Sequence, residues 1–257
     1  MAESPSQEAG GFLLQSLPSP APSNFSTSST ASNLPHPRSN PLKPGSAKED
    51  AARRYVEARL LNVSRRYAKK FQPMEEGDEI KGYVSMSEVA KDLGDIVDVV
   101  WLSGTPSLQI PYLLNVALAV NTNITAFPAS PKATFALIRK LDHAFSSLLK
   151  GEDSLTGDIL PGFSGGKKAG LSKTDMVRTK GLVDSMRVLI VDVMGKEIEN
   201  EVNDESGMET ETDGEASPWD AYADGRWEMD IARVYELTVV ELGTLLDSET
   251  FNVSAST

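Results

Sequence analysis

The residue types that most often carry enzyme chemistry are scarce in this sequence. The chain has 257 residues, no cysteine and two histidines, His36 and His143. The lack of cysteine excludes disulfides, thiolate catalysis, thiolate-bound zinc and iron–sulfur clusters. Neither histidine lies in a recognisable triad, and no serine lies in a nucleophile-elbow motif. We therefore predict that the protein is not an enzyme and has no catalytic residues, no cofactor and no metal site.

A glycine-rich segment resembles a phosphate-binding loop only in part. It runs from Gly162 to Lys168 with the sequence Gly-Phe-Ser-Gly-Gly-Lys-Lys. A Walker A loop has four residues between its two glycines and a serine or threonine after its lysine. Here three residues separate Gly162 from Gly166, and Lys168 follows Lys167. We therefore interpret the segment as a flexible connection between helices.

An acidic segment has the spacing of a calcium-binding loop but lacks one of its main ligands. Glu209, Glu211, Asp213 and Gly214 correspond to positions one, three, five and six of such a loop, and Asp220 corresponds to position twelve. Position twelve normally carries a glutamate that binds calcium through both carboxylate oxygens. We interpret the segment as a solvated acidic loop.

A basic helix face is the feature that best suggests a binding function. Residues 46–71 contain 8 basic and 3 acidic residues, a net charge of +5 in a chain of net charge −12. Apolar residues recur there every three or four positions and share one face of a helix: Val56, Leu60, Val63, Tyr67 and Phe71. Arg54, Arg65, Arg66 and Lys69 fall on the opposite face, and we predict that they contact a partner. The partner is an acidic protein surface or nucleic-acid phosphate, and the alternative is a solvated helix face.

Hydrophobic periodicity and capping residues predict six helices and an all-α helical bundle. Ser46 and Ser85, each followed by glutamate three residues later, begin the first two helices. Thr105 and Ser130, each followed by proline, cap the next two. The β-branched residues in 116–120 and 188–193 leave a strand as the alternative there. The predicted helices span residues 46–71, 86–102, 106–120, 131–150, about 172–193, and from about 219 or 227 to 247.

Composition divides the chain into a helical domain and flanking segments. Residues 1–45 hold 10 serines and 8 prolines, which predicts a disordered tail. Residues 46–247 form the predicted helical domain, in which 195–217, with 9 acidic residues, is a disordered loop; 248–257 is a frayed C-terminus. No apolar run reaches the roughly 20 residues of a membrane span, and the acidic N-terminus is unlike a secretory signal. We expect a cytosolic or nuclear protein with no membrane contact and no small-molecule substrate.

Six segments are similar to those of one known family. They are residues 34–49 (LPHPRSNPLKPGSAKE), 101–112 (WLSGTPSLQIPY), 130–135 (SPKATF), 148–153 (LLKGED), 160–163 (LPGF) and 227–236 (WEMDIARVYE). Together they resemble the fungal family described as subunit eleven of the general transcription factor TFIIH. The resemblance extends over roughly residues 34–247, so that residues 1–33 lie outside it, and the acidic segment 195–217 falls between the matching segments.

The resemblance implies a non-catalytic, nuclear subunit that acts in RNA polymerase II transcription. Members of this family associate with TFIIH through its DNA-translocating helicase subunit and promote the release of that subunit from the core complex. The resemblance implies no catalytic residues and no cofactor. The alternative function is a nucleic-acid-associated accessory protein of meiotic recombination or repair that uses the basic face of the first helix.

Overall fold

Helices account for the regular structure of the described chain. A computed structural model describes residues 33–73, 80–163, 170–205 and 221–254, which all belong to one unit, residues 32–257. Its α-helices are α1 (Ala47–Lys69), α2 (Met86–Leu102), α3 (Pro106–Asn123), α4 (Pro131–Lys150), α5 (Lys173–Glu205), α6 (Ala221–Ala232) and α7 (Glu236–Ser254). A short 3₁₀ helix, Ile124–Ala126, follows α3. Within the described ranges there is no sheet, so the predicted all-α class is confirmed, and 116–120 and 188–193 are helical.

The first two helices begin at the serines that the sequence predicts. The Ser46 hydroxyl accepts a hydrogen bond from the Glu49 amide at 3.3 Å, and the Ser85 hydroxyl accepts one from the Glu88 amide at 3.4 Å. The Glu49 carboxylate also accepts a hydrogen bond from the Gly45 amide at 2.6 Å. These bonds satisfy amide groups that have no partner within the helix.

The predicted side-chain caps of α3 and α4 do not form. Thr105 and Ser130 occupy the cap positions, but in the part of the chain that the structure describes neither hydroxyl caps its helix. The Thr105 hydroxyl instead accepts a hydrogen bond from the Leu42 amide at 2.8 Å and donates one to the Ser103 carbonyl at 2.8 Å. The prolines at the first helical positions lack an amide hydrogen, which reduces the number of donors that need a cap.

The core lies between α2, α3 and α4 and is closed by α1, α5 and α7. Helix α4 is buried along most of its length, and α2 packs against it on one side and against α1 on another. The fully buried side chains include Leu93, Ile96, Leu113, Leu141 and Leu148. Each such side chain contributes about 1.5–3 kcal/mol of hydrophobic stabilisation when it leaves water. Pro111 lies in the second turn of α3, where the helix continues without interruption to Asn123.

The N-terminal boundary of the ordered structure lies earlier than the composition predicts. Residues 33–45, part of the predicted disordered tail, lie against the helices without regular secondary structure. The Arg38 amide donates to the Leu102 carbonyl at 3.4 Å, and Leu42 is only 7% exposed. The contacts join residues more than 60 positions apart, as between Leu42 and Thr105, and local composition cannot reveal such pairs. Residues 1–32 lie outside the described residues.

The acidic segment 195–217 also differs from its prediction as a loop. Helix α5 extends to Glu205, so residues 195–205 are helical, while 206–217 lie outside the described residues. Glutamate and lysine are good helix formers, and a long preceding helix supplies the nucleus for further turns, so net negative charge does not by itself end a helix. Helix α7 similarly continues to Ser254, within the segment predicted to be frayed.

The predicted last helix is divided into α6 and α7 at residues 233–235. Tyr235 has a φ of 55°, in the left-handed region that non-glycine residues rarely adopt, and it is almost fully buried. Two side chains from other helices hold the break. Arg187 of α5 donates to the Val234 carbonyl at 2.8 Å, and Asp142 of α4 accepts from the Thr238 amide at 2.8 Å. The apolar stripe across this region is continuous in the sequence, and these partners are distant in the chain, so a single helix is the natural prediction.

Candidate partner-binding surface

Arg54 and Arg65 lie on the exposed side of α1, as the helical spacing predicts. The Arg54 Nε atom donates to the Asp50 carbonyl at 3.2 Å, one turn earlier on the same helix. Lys69, one turn beyond Arg65, is partly buried. The outer face of α1 therefore exposes the positive side chains of Arg54 and Arg65.

Arg66 lies between α1 and α2 instead of on the outer face. Its guanidinium contacts Glu88 at 2.6 Å and Asp92 at 2.8 Å, and it lies 4.0 Å from the centre of the Tyr83 ring. Its Nε atom donates to the Lys81 carbonyl at 3.2 Å. Arg66 therefore joins the two helices and does not belong to the exposed face of α1. At 3.6 residues per turn it lies beside the apolar stripe, a position from which it reaches α2.

The same ion-pair pattern continues along α2. Arg59 of α1 approaches Asp92 at 3.7 Å and Asp95 at 3.4 Å, and Lys140 of α4 approaches Asp98 at 2.7 Å. Three aspartates spaced three residues apart thus form ion pairs with basic side chains of both neighbouring helices. These aspartates therefore have a structural role in joining α2 to α1 and α4. Burial and the hydrogen bond to Asp92 raise the pKa of the nearby Tyr83 hydroxyl above its ordinary value.

Aromatic rings cluster with a lysine at the C-terminal end of α1. Tyr67 and Phe71 meet edge to face with ring centres 5.3 Å apart, and Phe127 lies 6.5 Å from Tyr67. The Lys70 ammonium lies 4.9 Å from the Phe71 ring centre and 4.7 Å from that of Phe127. Phe71 is 64% exposed, so this end of α1 presents an aromatic ring together with positive charge. Sequence spacing places Phe71 on the apolar stripe and does not show that it lies beyond the core.

His143 is buried, whereas the spacing on α4 places it off the apolar stripe. It is 6% exposed, its Nε2 atom lies 3.0 Å from an Asp153 oxygen, and its ring centre is 5.9 Å from that of Trp101. Burial opposes ionisation of Asp153, but hydrogen bonds from the Thr156 and Leu155 amides and from His143 outweigh it and lower the pKa of the carboxyl. A cavity of about 380 Å³ adjoins this pair. Since the Asp153 carboxylate organises the following turn, the pair has a structural role.

Asp142, the neighbour of His143, caps the start of α7. Its carboxylate accepts hydrogen bonds from the Leu237 amide at 3.2 Å, the Thr238 amide at 2.8 Å and the Thr238 hydroxyl at 2.7 Å. Burial raises the pKa of the Asp142 carboxyl, and the bonds from Thr238 and Leu237 partly offset this effect. No sequence signal marks this cap, because the capping residue lies on another helix.

Most of the glycine-rich segment and all of the calcium-like segment lie outside the residues that the structure describes. Residues 164–169 of the glycine-rich loop and residues 209–220 of the calcium-like segment lie outside the described residues. Across the described ranges, no three histidine, aspartate or glutamate side chains are grouped to hold a metal ion. Over the same residues, no helix has the length and apolar character needed to cross a membrane.

The described residues define a helical protein in which several ion pairs join neighbouring helices. The family model described as subunit 11 of the general transcription factor TFIIH matches residues 82–243, and the chain belongs to this family. An uncharacterized protein of Schizosaccharomyces pombe is 29% identical over 157 residues, which is 57% of this chain and 83% of that protein. No solved structure matches the chain. Helix α1 precedes the matched range, so the match does not bear on its basic face.

Proposed function

We propose that this chain is a non-catalytic regulatory subunit of TFIIH that acts in the nucleus. In this proposal it binds the DNA-translocating helicase subunit and promotes the release of that subunit from the core complex. The observation that carries the proposal is the family match over residues 82–243. The geometry is compatible with it, because the buried titratable groups His143, Asp142 and Asp153 are engaged in helix and turn contacts.

The proposed contact surface is the outer face of α1, centred on Arg54 and Arg65. Both side chains are exposed and one helix face presents them, about 17 Å apart at 1.5 Å per residue. The whole chain has a net charge of −12, whereas residues 46–71 have a net charge of +5. An acidic patch on the helicase would complement it and give the encounter its orientation.

Release follows if the chain binds the free helicase more tightly than the helicase docked on the core complex. A ligand shifts such an equilibrium only by its difference in affinity for the two states. A difference in affinity of about 1–3 kcal/mol changes the equilibrium constant for helicase retention by roughly 5- to 150-fold. Release by this mechanism needs no chemical step. This agrees with the structural contacts made by His143, Asp142 and Asp153.

The direct test measures helicase retention on immobilised TFIIH core as purified full-length chain is added. We expect helicase to leave the core in proportion to the chain, and we expect Arg54→Glu with Arg65→Glu to abolish this effect. A control with the same change in charge is Lys91→Glu with Lys132→Glu, since both lysines are exposed on other helices. Unchanged retention at saturating concentration of the wild-type chain refutes the proposed release activity.

A second candidate function is contact with single-stranded nucleic acid at the C-terminal end of α1. The exposed Phe71 ring and the adjacent Lys70 ammonium offer stacking and positive charge at one place. Fluorescence anisotropy with a labelled oligonucleotide tests it. Binding that weakens steeply with salt and is lost in Phe71→Ala supports this function, whereas no binding at low salt excludes it.

A further inference from the structure

Helix α5 has an apolar face that points away from the core. Its inner face contributes Val183, Met186 and Ile190, which are fully buried. On the other side, Val177, Val188 and Val191 are 63%, 71% and 57% exposed. A helix with apolar residues on two sides is usually covered on both. The outer side of α5 therefore lacks a cover within the described chain.

The exposed valines of α5 belong to a heptad spacing that can be followed in the sequence along most of the helix. Successive steps of four and three residues connect eight positions: Val177, Gly181, Asp184, Val188, Val191, Gly195, Ile198 and Val202. We call this set of positions the outer stripe. Seven of the eight residues are valine, isoleucine or glycine, and the stripe is about 38 Å long at 1.5 Å per residue. This spacing is typical of the seam between two packed helices.

Two glycines within the outer stripe are not required by any neighbour among the described residues. Glycine in a helix interior is destabilising by about 0.5–1 kcal/mol relative to alanine. A Cβ atom added at Gly181 or Gly195 meets no heavy atom within 4 Å, so neither glycine is required by a neighbour. Small residues in a helix seam allow a second backbone to approach closely. The groove of about 610 Å³ between α3 and α5 opens beside Gly181 and extends the apolar surface.

The charge of α5 reverses along its length. Residues 173–180 contain Lys173, Asp175, Arg178 and Lys180, a net charge of +2. Residues 192–205 contain six acidic residues and one lysine, a net charge of −5. Two copies of α5 in antiparallel orientation place each basic end beside the acidic end of the other copy. Parallel copies place like charges together, which is unfavourable.

We propose that the outer stripe of α5 is the interface of a homodimer, in which a second copy of this chain packs its α5 antiparallel to the first. The two-fold axis lies between Val188 and Val191, so that Val188 of each copy faces Val191 of the other. Such an interface is self-complementary and closes as a dimer, without further growth. The proposal depends on α5 alone and does not require the proposed action on the helicase.

The mass of the purified full-length chain tests the dimer. Light scattering coupled to size exclusion, and sedimentation over a concentration series, are expected to show a shift from 27.7 kDa to twice that mass. We expect Val188→Glu with Val191→Glu to keep the chain monomeric. The matched control is Val240→Glu, because Val240 of α7 is exposed to a similar extent, 59%, and we expect it to dimerise as the wild type does. Circular dichroism of each variant confirms that the helices remain.

The orientation is tested by single cysteines, which are unambiguous because the chain has no native cysteine. In the antiparallel pair, spin labels at Val191→Cys lie close to the axis and give a short distance. Labels at Val177→Cys lie at opposite ends, about 38 Å apart along the pair. A short distance for labels at position 177 indicates parallel helices and overturns the antiparallel arrangement.

The proposal is overturned if the chain remains monomeric up to about 100 μM, because a dissociation constant above that concentration is too weak for a specific dimer. If the monomeric chain releases helicase and Val188→Glu with Val191→Glu abolishes that release, the outer stripe binds a different partner and self-association is excluded. If the chain dimerises but has no effect on helicase retention, the dimer stands and the proposed function fails. The two measurements therefore separate the two proposals.

Discussion

Replacement of Asp142 by alanine is expected to destabilise the fold through the break between α6 and α7. The carboxylate is buried and accepts three hydrogen bonds from Leu237 and Thr238 at 2.7–3.2 Å. Alanine leaves two amide groups without an acceptor, and such donors cost about 1–3 kcal/mol each when they stay buried. Partial exposure of the new helix end to water lowers the sum, so we expect a loss of about 3–4 kcal/mol, together with the loss of a cap.

Thermal and chemical unfolding followed by circular dichroism measure this effect. A loss of about 3 kcal/mol lowers Tm by about 6–12 °C in a domain of this size. The control is Asp95→Ala, since Asp95 is half-exposed and its ion pair with Arg59 is worth less than about 1 kcal/mol. Equal stability of Asp142→Ala and Asp95→Ala refutes the assigned cap.

The pH dependence of Asp142→Asn gives an independent check on the same carboxyl. Burial raises the pKa of Asp142 in the folded state, so the folded protein binds the proton more readily than the unfolded chain. The contribution of Asp142 to stability is therefore largest below its unfolded pKa, about 3.9, and decreases as the pH rises through the folded pKa. The stability lost in Asp142→Asn should be larger near pH 4 than at pH 7. A difference that is smaller at low pH contradicts the assigned burial effect.

The remaining predictions concern three other buried or half-buried groups. Arg66→Ala is expected to cost about 2–3 kcal/mol in chemical unfolding, because it removes the guanidinium partner of Glu88 and the nearer of the two guanidinium partners of Asp92. Arg65→Ala stays within about 0.5 kcal/mol, and equal losses contradict the α1–α2 assignment. Tyr235→Phe is expected to keep or raise Tm, because the buried hydroxyl has no hydrogen-bond partner among the described residues, and a large loss indicates a bound water. The pKa of Asp153 is lowered in the fold, so Asp153→Asn should destabilise fully at pH 6–7. The difference from wild type should shrink as the pH falls from the unfolded pKa of about 3.9 through the lower folded pKa, and a constant difference contradicts the lowered pKa.

Local sequence signals predict the α1 to α4 helices well because their causes are local. The apolar spacing that defines the inner face of α1 and the serines that cap α1 and α2 act within a few residues. The left-handed Gly151, with a φ of 81°, ends α4 where the sequence places the end. The prediction of a side-chain cap at Ser130 is wrong, since proline at the first position already removes one amide donor.

The candidate surface illustrates where spacing alone is insufficient. Helical angles separate Arg54 and Arg65 from the apolar face, and the structure exposes both. The same angles place Arg66 near the edge of the basic face, and only the position of α2 decides that it turns inward to Glu88 and Asp92. The valines of the outer stripe are visible in the sequence, where those in 188–193 also allow a strand. Their exposure depends on which side of α5 packs against the core.

The sequence by itself determines the all-α class, most helix starts and the absence of cysteine chemistry, because propensity, capping and composition are properties of short segments. Only the tertiary structure decides the order in residues 33–45, the burial of His143 and the division of the last helix at Tyr235. Each of these depends on partners that are distant in the chain, such as Thr105 for Leu42, Asp153 for His143, and Asp142 and Arg187 for the break. A long-range hydrogen bond or ion pair produces no periodic pattern in the sequence around either partner. These three features can therefore be read only from the packed structure.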